Sequence, residues 1–186
     1  MKTVKLNNGI EMPVLGLGTF LSNDPAVCEQ SVVDAISLGY RLIDTAQGYG
    51  NEEHIGRAIA RCGVPRKELF ITTKVWFKNY GNTRASVEES MRKLQTDYLD
   101  LVLLHWPFGD TYAAWRVLEE LYTEGKIRAI GVSNYTADRL VDLVNYNKVV
   151  PAVNQVETNL VSQQIEVRTW MDKLGVQHMG YAPFGQ

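Results

Sequence analysis

The sequence predicts a parallel α/β protein of the (β/α)8 TIM-barrel type, and three observations carry that prediction. Short apolar runs alternate with amphipathic helical segments along the whole chain, the pattern of repeated βα units. Most of the runs are continuously apolar, as strands covered on both faces are. The third observation separates the barrel from an open doubly wound sheet. Gly16-Leu-Gly18 is followed by Thr19, Phe20 and Leu21, with no third glycine where a dinucleotide fingerprint requires one, and no phosphate-loop motif occurs.

Composition bounds the rest. The chain has 186 residues, 45% hydrophobic and 22% charged, which fits one globular domain over residues 1–186 with a sizeable core. A net charge of −2 gives no reason to expect nucleic acid or an anionic membrane surface as partner. Met1 to Gly9 is too poor in apolar residues for a signal peptide, and no run approaches membrane length. Cys28 and Cys62 both fall on predicted helix faces and read as reduced thiols, so a cytoplasmic location is expected. The triplet Asn134-Tyr-Thr136 fits a glycosylation sequon, by chance if the chain is not secreted.

Taken in order, Val4 to Pro13 alternates polar and apolar residues around Asn8-Gly9, a two-residue hairpin signal. Val14 to Thr19 reads as the first strand. Asp24 and Pro25 start a helix as N-cap and first helical residue, Val32 and Ile36 form its inner stripe, and Gly39 stops it. Tyr40 to Ile43 is the second strand. A polar turn follows, and a helix opens with Asn51 as N-cap and Glu52 and Glu53 in its positive first turn. Ile55, Ile59 and Cys62 line that helix. Strand three is Leu69 to Lys74, and helix three, about Thr83 to Leu94, buries Val87, Met91 and Leu94. Strand four is Leu99 to His105, and the next helix carries Trp115, Leu118 and Tyr122. Strand five is Ile127 to Ser133, and its helix presents Leu140 and Val144. Strand six is Ala152 to Glu157, followed by a helix presenting Val167, Met171 and Leu174, and a seventh strand ends near Tyr181.

The chemistry-bearing residues stand where strands end. Asp44, Lys74 and His105 close three consecutive strands, and Tyr49 lies in the loop between two of them. Singly, Lys74 could be a solvated strand end and His105 a core histidine. Jointly, in a barrel, the four side chains project into one cavity at the C-terminal face. Such a set can reduce a carbonyl. A free tyrosine has a pKa of about 10, and an adjacent ammonium stabilises the phenolate and lowers it. With Asp44 holding Lys74 against it, Tyr49 can protonate a carbonyl oxygen as a hydride arrives at carbon, while His105 orients that oxygen. The hydride must come from a cofactor. Ser133, Asn134 and Gln155 offer the donors and acceptors a nicotinamide carboxamide requires, and the Tyr181 ring can lie on the nicotinamide face. Ser133 and Asn134 also read as a helix-cap region, and Gln155 as a core amide. No metal is expected, because His54, His105 and His178 are isolated and no His-Glu-x-x-His occurs.

The sequence from residue 4 onward resembles the aldo-keto reductases. Gly39 to Gly56 is similar to that family's first signature, including Asp44, Thr45, Ala46, Tyr49, Asn51 and Glu52. Lys74 in Ile-Thr-Thr-Lys-Val-Trp and His105 in Leu-Leu-His-Trp-Pro match two further positions, and Gly125 to Tyr135 is similar to the second signature. The resemblance implies an NADPH-dependent oxidoreductase that reduces an aldehyde or ketone to an alcohol. It implies Tyr49 as acid, Lys74 and Asp44 as its tuning pair and His105 as the carbonyl-orienting group. It also implies Gly18, Thr19, Asp44, Ser133, Asn134, Gln155 and Tyr181 at the nicotinamide, and Phe20, Trp76 and Trp106 as substrate-pocket walls.

Set against the family, the chain is short. It supplies seven strands where a barrel of about 250 residues has eight. The last strand, its helices and a basic motif for the cofactor's 2′-phosphate are expected to be missing, which leaves strands one and seven as open edges. A C-terminally truncated reductase of this kind is expected to bind cofactor weakly. Glu157-Thr-Asn-Leu also departs from the aromatic or histidine-containing run of many members. Three rivals stay open: a non-catalytic or regulatory nucleotide-binding barrel, an inactive fragment of a reductase, and a non-redox lyase or isomerase in which Lys74 forms a Schiff base. The substrate and the oligomeric state are not legible.

Overall fold

The computed structural model describes residues 2–185. It begins with an antiparallel hairpin, β1 (Thr3–Lys5) and β2 (Glu11–Pro13), in which Val4 faces Met12. The turn is one residue longer than the Asn8-Gly9 dipeptide implies. The Leu6 amide donates to Ile10, and the Gly9 amide donates back to Leu6, enclosing Asn7, Asn8 and Gly9. Gly9 has φ of +87°, the left-handed value a bulged three-residue loop needs.

Seven parallel strands follow in sequential order: β3 (Gly16–Gly18), β4 (Leu42–Asp44), β5 (Phe70–Val75), β6 (Leu101–Leu104), β7 (Ile130–Ser133), β8 (Val153–Glu157) and β9 (Gln177–Tyr181). Between them run α1 (Pro25–Ser37), α2 (Glu52–Arg61), α3 (Thr83–Lys93), α4 (Thr111–Thr123), α5 (Ala137–Tyr146) and α6 (Ile165–Leu174). This is an incomplete (β/α)8 barrel, with β3 and β9 each paired on one side only. Among the described residues no helix is long and apolar enough to cross a membrane.

Two hydrophobic clusters divide the strand side chains by parity. Ile43, Ile71, Val102, Leu104, Ile130 and Val132 pack outward against the helices, around Val32, Ile36, Ile55, Val87, Trp115, Leu118 and Leu140. Leu42, Phe70, Leu101, Leu103, Ala129 and Val153 point inward, and the hairpin's Leu6 and Met12 close that layer from below. The amides of Asn7 and Asn8 donate to the Pro151 and Arg128 carbonyls, which seats the hairpin across the barrel floor. Successive side chains of a strand alternate faces. The next inward positions after Leu42, Phe70, Leu103, Ala129 and Val153 are therefore Asp44, Thr72 and then Lys74, His105, Gly131 and then Ser133, and Gln155.

Several boundaries differ from expectation by one to three residues. The first strand is only Gly16–Gly18, and Val14 and Leu15 are exposed. Of the anticipated helix faces, Cys62, Met91, Tyr122, Val144, Val167 and Leu174 are only half-buried, while Leu143 takes the central place on α5. Asp24 caps α1 as expected, accepting from the Val27 amide at 2.9 Å. Asn51 stands at the N-cap of α2, but its side chain makes no capping bond. It accepts from Thr45 Oγ1 at 2.8 Å and donates to the Thr19 carbonyl at 2.8 Å, tying the loop after β3 to the turn after β4. Cys28 and Cys62 are free thiols.

Candidate active site

The parity of the strands explains why polar side chains meet at the barrel mouth. Lys74 and Gln155 are almost completely buried, and Asp44 and His105 are only 8% and 7% exposed. A charged amine in such a place requires charged and polar partners. The Lys74 ammonium has three: the Asp44 carboxylate, the Thr45 carbonyl at 3.0 Å and Tyr49 Oη at 3.3 Å. Gln155 Nε2 donates to the other Asp44 oxygen at 2.8 Å, so both carboxylate oxygens are occupied.

Tyr49 arrives from a short 3-10 turn, Gln47–Tyr49, that follows β4. All three ammonium protons of Lys74 are committed, one of them to the tyrosine oxygen. The phenol is thus an acceptor towards Lys74, and its own proton is left to face the cavity. One expectation is corrected here. The Lys74 charge was expected to lower the Tyr49 pKa, yet the phenol is held above its ordinary value. Burial raises it most, Lys74 pulls it down, and Asp44 pushes it up again. Lys74 is itself raised: burial opposes its charge, but Asp44 and Tyr49 together outweigh that cost. The side chain stays an ammonium.

His105 is pushed down to about 3 by burial and by the Lys74 charge, so its imidazole is neutral. Its ring lies edge-on to Tyr49 with centroids 5.7 Å apart and edge-on to Trp76 at 5.1 Å, and stacks on Trp106 at 6.0 Å. Phe20 packs on Tyr49 at 5.0 Å.

These side chains line a cavity of about 280 Å³, bounded by Phe20, Tyr49, Trp76, His105 and Trp106 on one side. Ser133, Asn134, Gln155 and Tyr181 bound the other. Ser133 donates to the Gln155 carbonyl at 2.9 Å, and Asn134 Nδ2 donates to the His105 carbonyl and to Ser133 Oγ, both at 3.1 Å. Asn134 holds a left-handed φ of +63°, which asparagine tolerates better than most residues. Tyr181 donates to Asn134 Oδ1 at 2.9 Å. Gly18 lies outside this cavity. It borders a larger space of about 580 Å³ in the gap between β3 and β9, which shares Asp44, Gln155 and Tyr181 with the first. Thr19 is buried beneath both, donating to the Asp44 carbonyl through backbone and hydroxyl at 3.0 Å each.

Two side chains given no role by the sequence reading, and a third read there only as a first-turn charge, support the site from behind. Gln47 and Tyr80 hold the backbone under Trp76 and Trp106. Glu52, buried on α2, accepts from Thr73 Oγ1 at 2.7 Å. Its carboxyl is raised chiefly by burial. A polar residue on the inner face of an otherwise amphipathic helix was the available signal for Glu52. Among the described residues no His, Cys, Asp and Glu side chains gather as a group that could hold a metal ion.

Comparison with known proteins matches this arrangement to one family. The family model "Aldo/keto reductase family" matches residues 14–186. Glyoxal reductase of Bacillus subtilis is 48% identical over 99% of this chain, and morphine 6-dehydrogenase of Pseudomonas putida is 42% identical over 98%. The chain spans 68% and 63% of the lengths of these two relatives. Among solved structures, an aldo/keto reductase from Brucella melitensis superposes with a TM-score of 0.94 at 40% identity, over all of this chain and 74% of the other. An aldo-keto reductase from Bombyx mori in complex with NADP superposes with a TM-score of 0.93 at 34% identity, over 97% of this chain and 66% of the other. With such matches across nearly its whole length, the chain belongs to the aldo/keto reductase family.

Proposed function

We propose that this chain carries the reaction centre of an NADPH-dependent reductase that converts an aldehyde or ketone to an alcohol. The observation that carries the reading is the hydrogen-bond order Asp44–Lys74–Tyr49, which leaves one phenolic proton facing the cavity that His105 also borders. In this reading Tyr49 donates its proton to the carbonyl oxygen. Lys74, kept charged by Asp44, stabilises the phenolate that remains. His105, neutral at every pH in the working range, donates a hydrogen bond to the same oxygen and fixes its direction without competing as an acid. Trp76, Trp106 and Phe20 hold the apolar part of the substrate and exclude water.

The cofactor is NADPH, which supplies the hydride when bound. The polar wall fits a nicotinamide carboxamide. Gln155 Nε2 is taken by Asp44, but no described residue donates to Gln155 Oε1, which leaves an acceptor for the carboxamide NH₂. Ser133, Asn134 and Tyr181 form the rest of that wall, and the Tyr181 ring is half-buried beside it. Gly18 and Thr19 support the same end from the β3 side. The relative solved with NADP and the relative named for glyoxal reduction support the same assignment. A Schiff-base role for Lys74 is disfavoured, because an ammonium with all three protons engaged has no lone pair to attack a carbonyl.

Replacing Tyr49 tests the reading. Tyr49→Phe removes the proton and keeps the ring. NADPH oxidation with a simple aldehyde is expected to fall by about 10²-fold or more, with nucleotide affinity unchanged within a factor of two. Unaltered turnover would take Tyr49 out of its role.

A further inference from the structure

One wall of the proposed carbonyl pocket is Trp76, which follows the end of β5 and is only half-buried. On the cavity side the indole meets the His105 ring edge-on, with centroids 5.1 Å apart. Its backbone is held from behind, by a side chain that touches neither the cavity nor the four polar groups at its base. Gln47 Oε1 accepts from the Trp76 backbone amide at 3.0 Å and from Asn79 Nδ2 at 2.9 Å. Gln47 Nε2 donates to the Ser86 carbonyl at 3.0 Å and to Ser90 Oγ at 3.1 Å, both on α3. The amide thus uses both of its donors and both acceptor lone pairs. It ties the turn bearing Tyr49 to two segments about thirty to forty residues further along the chain, the turn bearing Trp76 and α3. The Asn79 amide in turn donates to the Trp76 carbonyl at 2.8 Å, so the tryptophan's peptide groups are held on both sides.

The neighbouring residue completes the arrangement. A Cβ added to Gly48 would lie 2.8 Å from Trp76 Cε3 and 3.2 Å from Cδ2, so the indole rests directly on the glycine backbone. Residues 47 and 48 therefore act on Trp76 in two ways. One fixes its backbone by hydrogen bonds, and the other lets its ring close against the turn that carries Tyr49. The second tryptophan of that wall is held on the same principle. Tyr80 Oη donates to the Trp106 carbonyl at 2.6 Å and accepts from the Trp106 amide at 3.2 Å.

We propose that Gln47 is a positioning residue that sets the width of the pocket, and through it the size of carbonyl substrate accepted, by pinning Trp76 against Gly48. The proposal rests on the reading of this cavity as the carbonyl site. Four hydrogen bonds converging on one side chain make the wall's position depend on a group outside the cavity. A hydrophobic pocket discriminates by about 10- to 200-fold per methylene, so a small displacement of one wall is enough to change selectivity.

The test uses the whole chain labelled with 5-fluorotryptophan, which reports its four tryptophans as separate fluorine resonances. Trp76→Phe assigns the Trp76 line. Gln47→Met keeps the shape and removes all four bonds. It is expected to shift or broaden the Trp76 line while leaving those of Trp115 and Trp170 in place. Gln47→Glu retains the acceptor facing the Trp76 amide and is expected to keep the line at its wild-type position. An unmoved Trp76 line in Gln47→Met overturns the proposal. So does a shift of all four lines, which marks a role in the fold at large, or a Gln47→Glu line displaced as far as that of Gln47→Met. In parallel, the ratio of kcat/KM for benzaldehyde over propanal with NADPH should change by about 10-fold in Gln47→Met, through KM more than kcat. Absence of NADPH oxidation in the wild-type chain would count against the carbonyl-reduction reading, and the fluorine spectra would still decide the clamp.

Discussion

At the scale of single residues, the site is a set of compensations. Lys74 keeps its charge because Asp44, Thr45 and Tyr49 answer its three protons. His105 has no such partner: its Nδ1 is buried without a hydrogen bond, and it lies within the field of Lys74. This fixes the sign of its contribution to stability. The folded pKa is pushed down to about 3, whereas an unfolded histidine titrates near 6.5. Between those values the unfolded chain binds a proton that the folded chain refuses, so stability is full above about pH 6.5 and is lost as pH falls towards 3. From pH 7 to pH 5 this one group is expected to remove on the order of 2 kcal/mol. Urea unfolding at both pH values should show that loss in the wild type and a smaller one in His105→Gln. Equal losses in the two proteins would mean that His105 is not held neutral. Asp44, Lys74 and His105 were legible in the sequence because each closes an apolar run, and Tyr49 because it stands in the turn that follows one of those runs. The supporting roles of Gln47 and Tyr80 were not, because a polar residue in a turn has no distinctive pattern until its partners are placed, and Glu52 read only as a first-turn charge.

At the scale of elements, strand parity does most of the work. The inward series Ala129, Gly131, Ser133, leading into and along β7, shows how tight the interior is. A Cβ on Gly131 would lie 2.5 Å from the Val153 carbonyl oxygen and 2.7 Å from Leu103 Cδ2. The backbone oxygen cannot move without breaking the β7–β8 pairing, which runs from Val132 opposite Asn154 to Ser133 opposite Gln155. Gly131→Ala is therefore expected to cost about 1–3 kcal/mol, read from the urea midpoint, and to disturb the polar wall formed by Ser133 and Gln155. A wild-type midpoint would show that the interior can yield there. The order and type of the elements were legible from periodicity and punctuation, as Asp24-Pro25 at the start of α1 shows. The role of Asn51 was not. Its position predicted a helix cap, but tertiary partners at Thr19, Ser22 and Thr45 claimed the side chain.

At the scale of the whole molecule, stability should fall from the centre of the sheet to its edges. Every residue of β5, β6 and β7 is buried, whereas β9 is only half-buried and β3 is largely exposed. Local opening is cheapest where few apolar contacts cover the backbone hydrogen bonds. Amide hydrogen exchange is therefore expected to be slowest in β5–β7 and at least about 10-fold faster in β3 and β9. Protection of β9 equal to that of β6 would show that the gap between β3 and β9 is closed in solution. The larger cavity opens into that gap beside Asp44, Gln155 and Tyr181.

By itself, the sequence determined the succession of strands and helices, the parallel sheet they build, and the polar residues at its carboxyl edge. These follow from local periodicity, which needs no partner to be read. Tertiary structure alone decided the direction of the Tyr49 pKa, the neutrality of His105, the second life of Asn51 and the clamp behind Trp76. Each of these depends on burial and on distances between segments tens of residues apart, and neither quantity exists until the chain has folded.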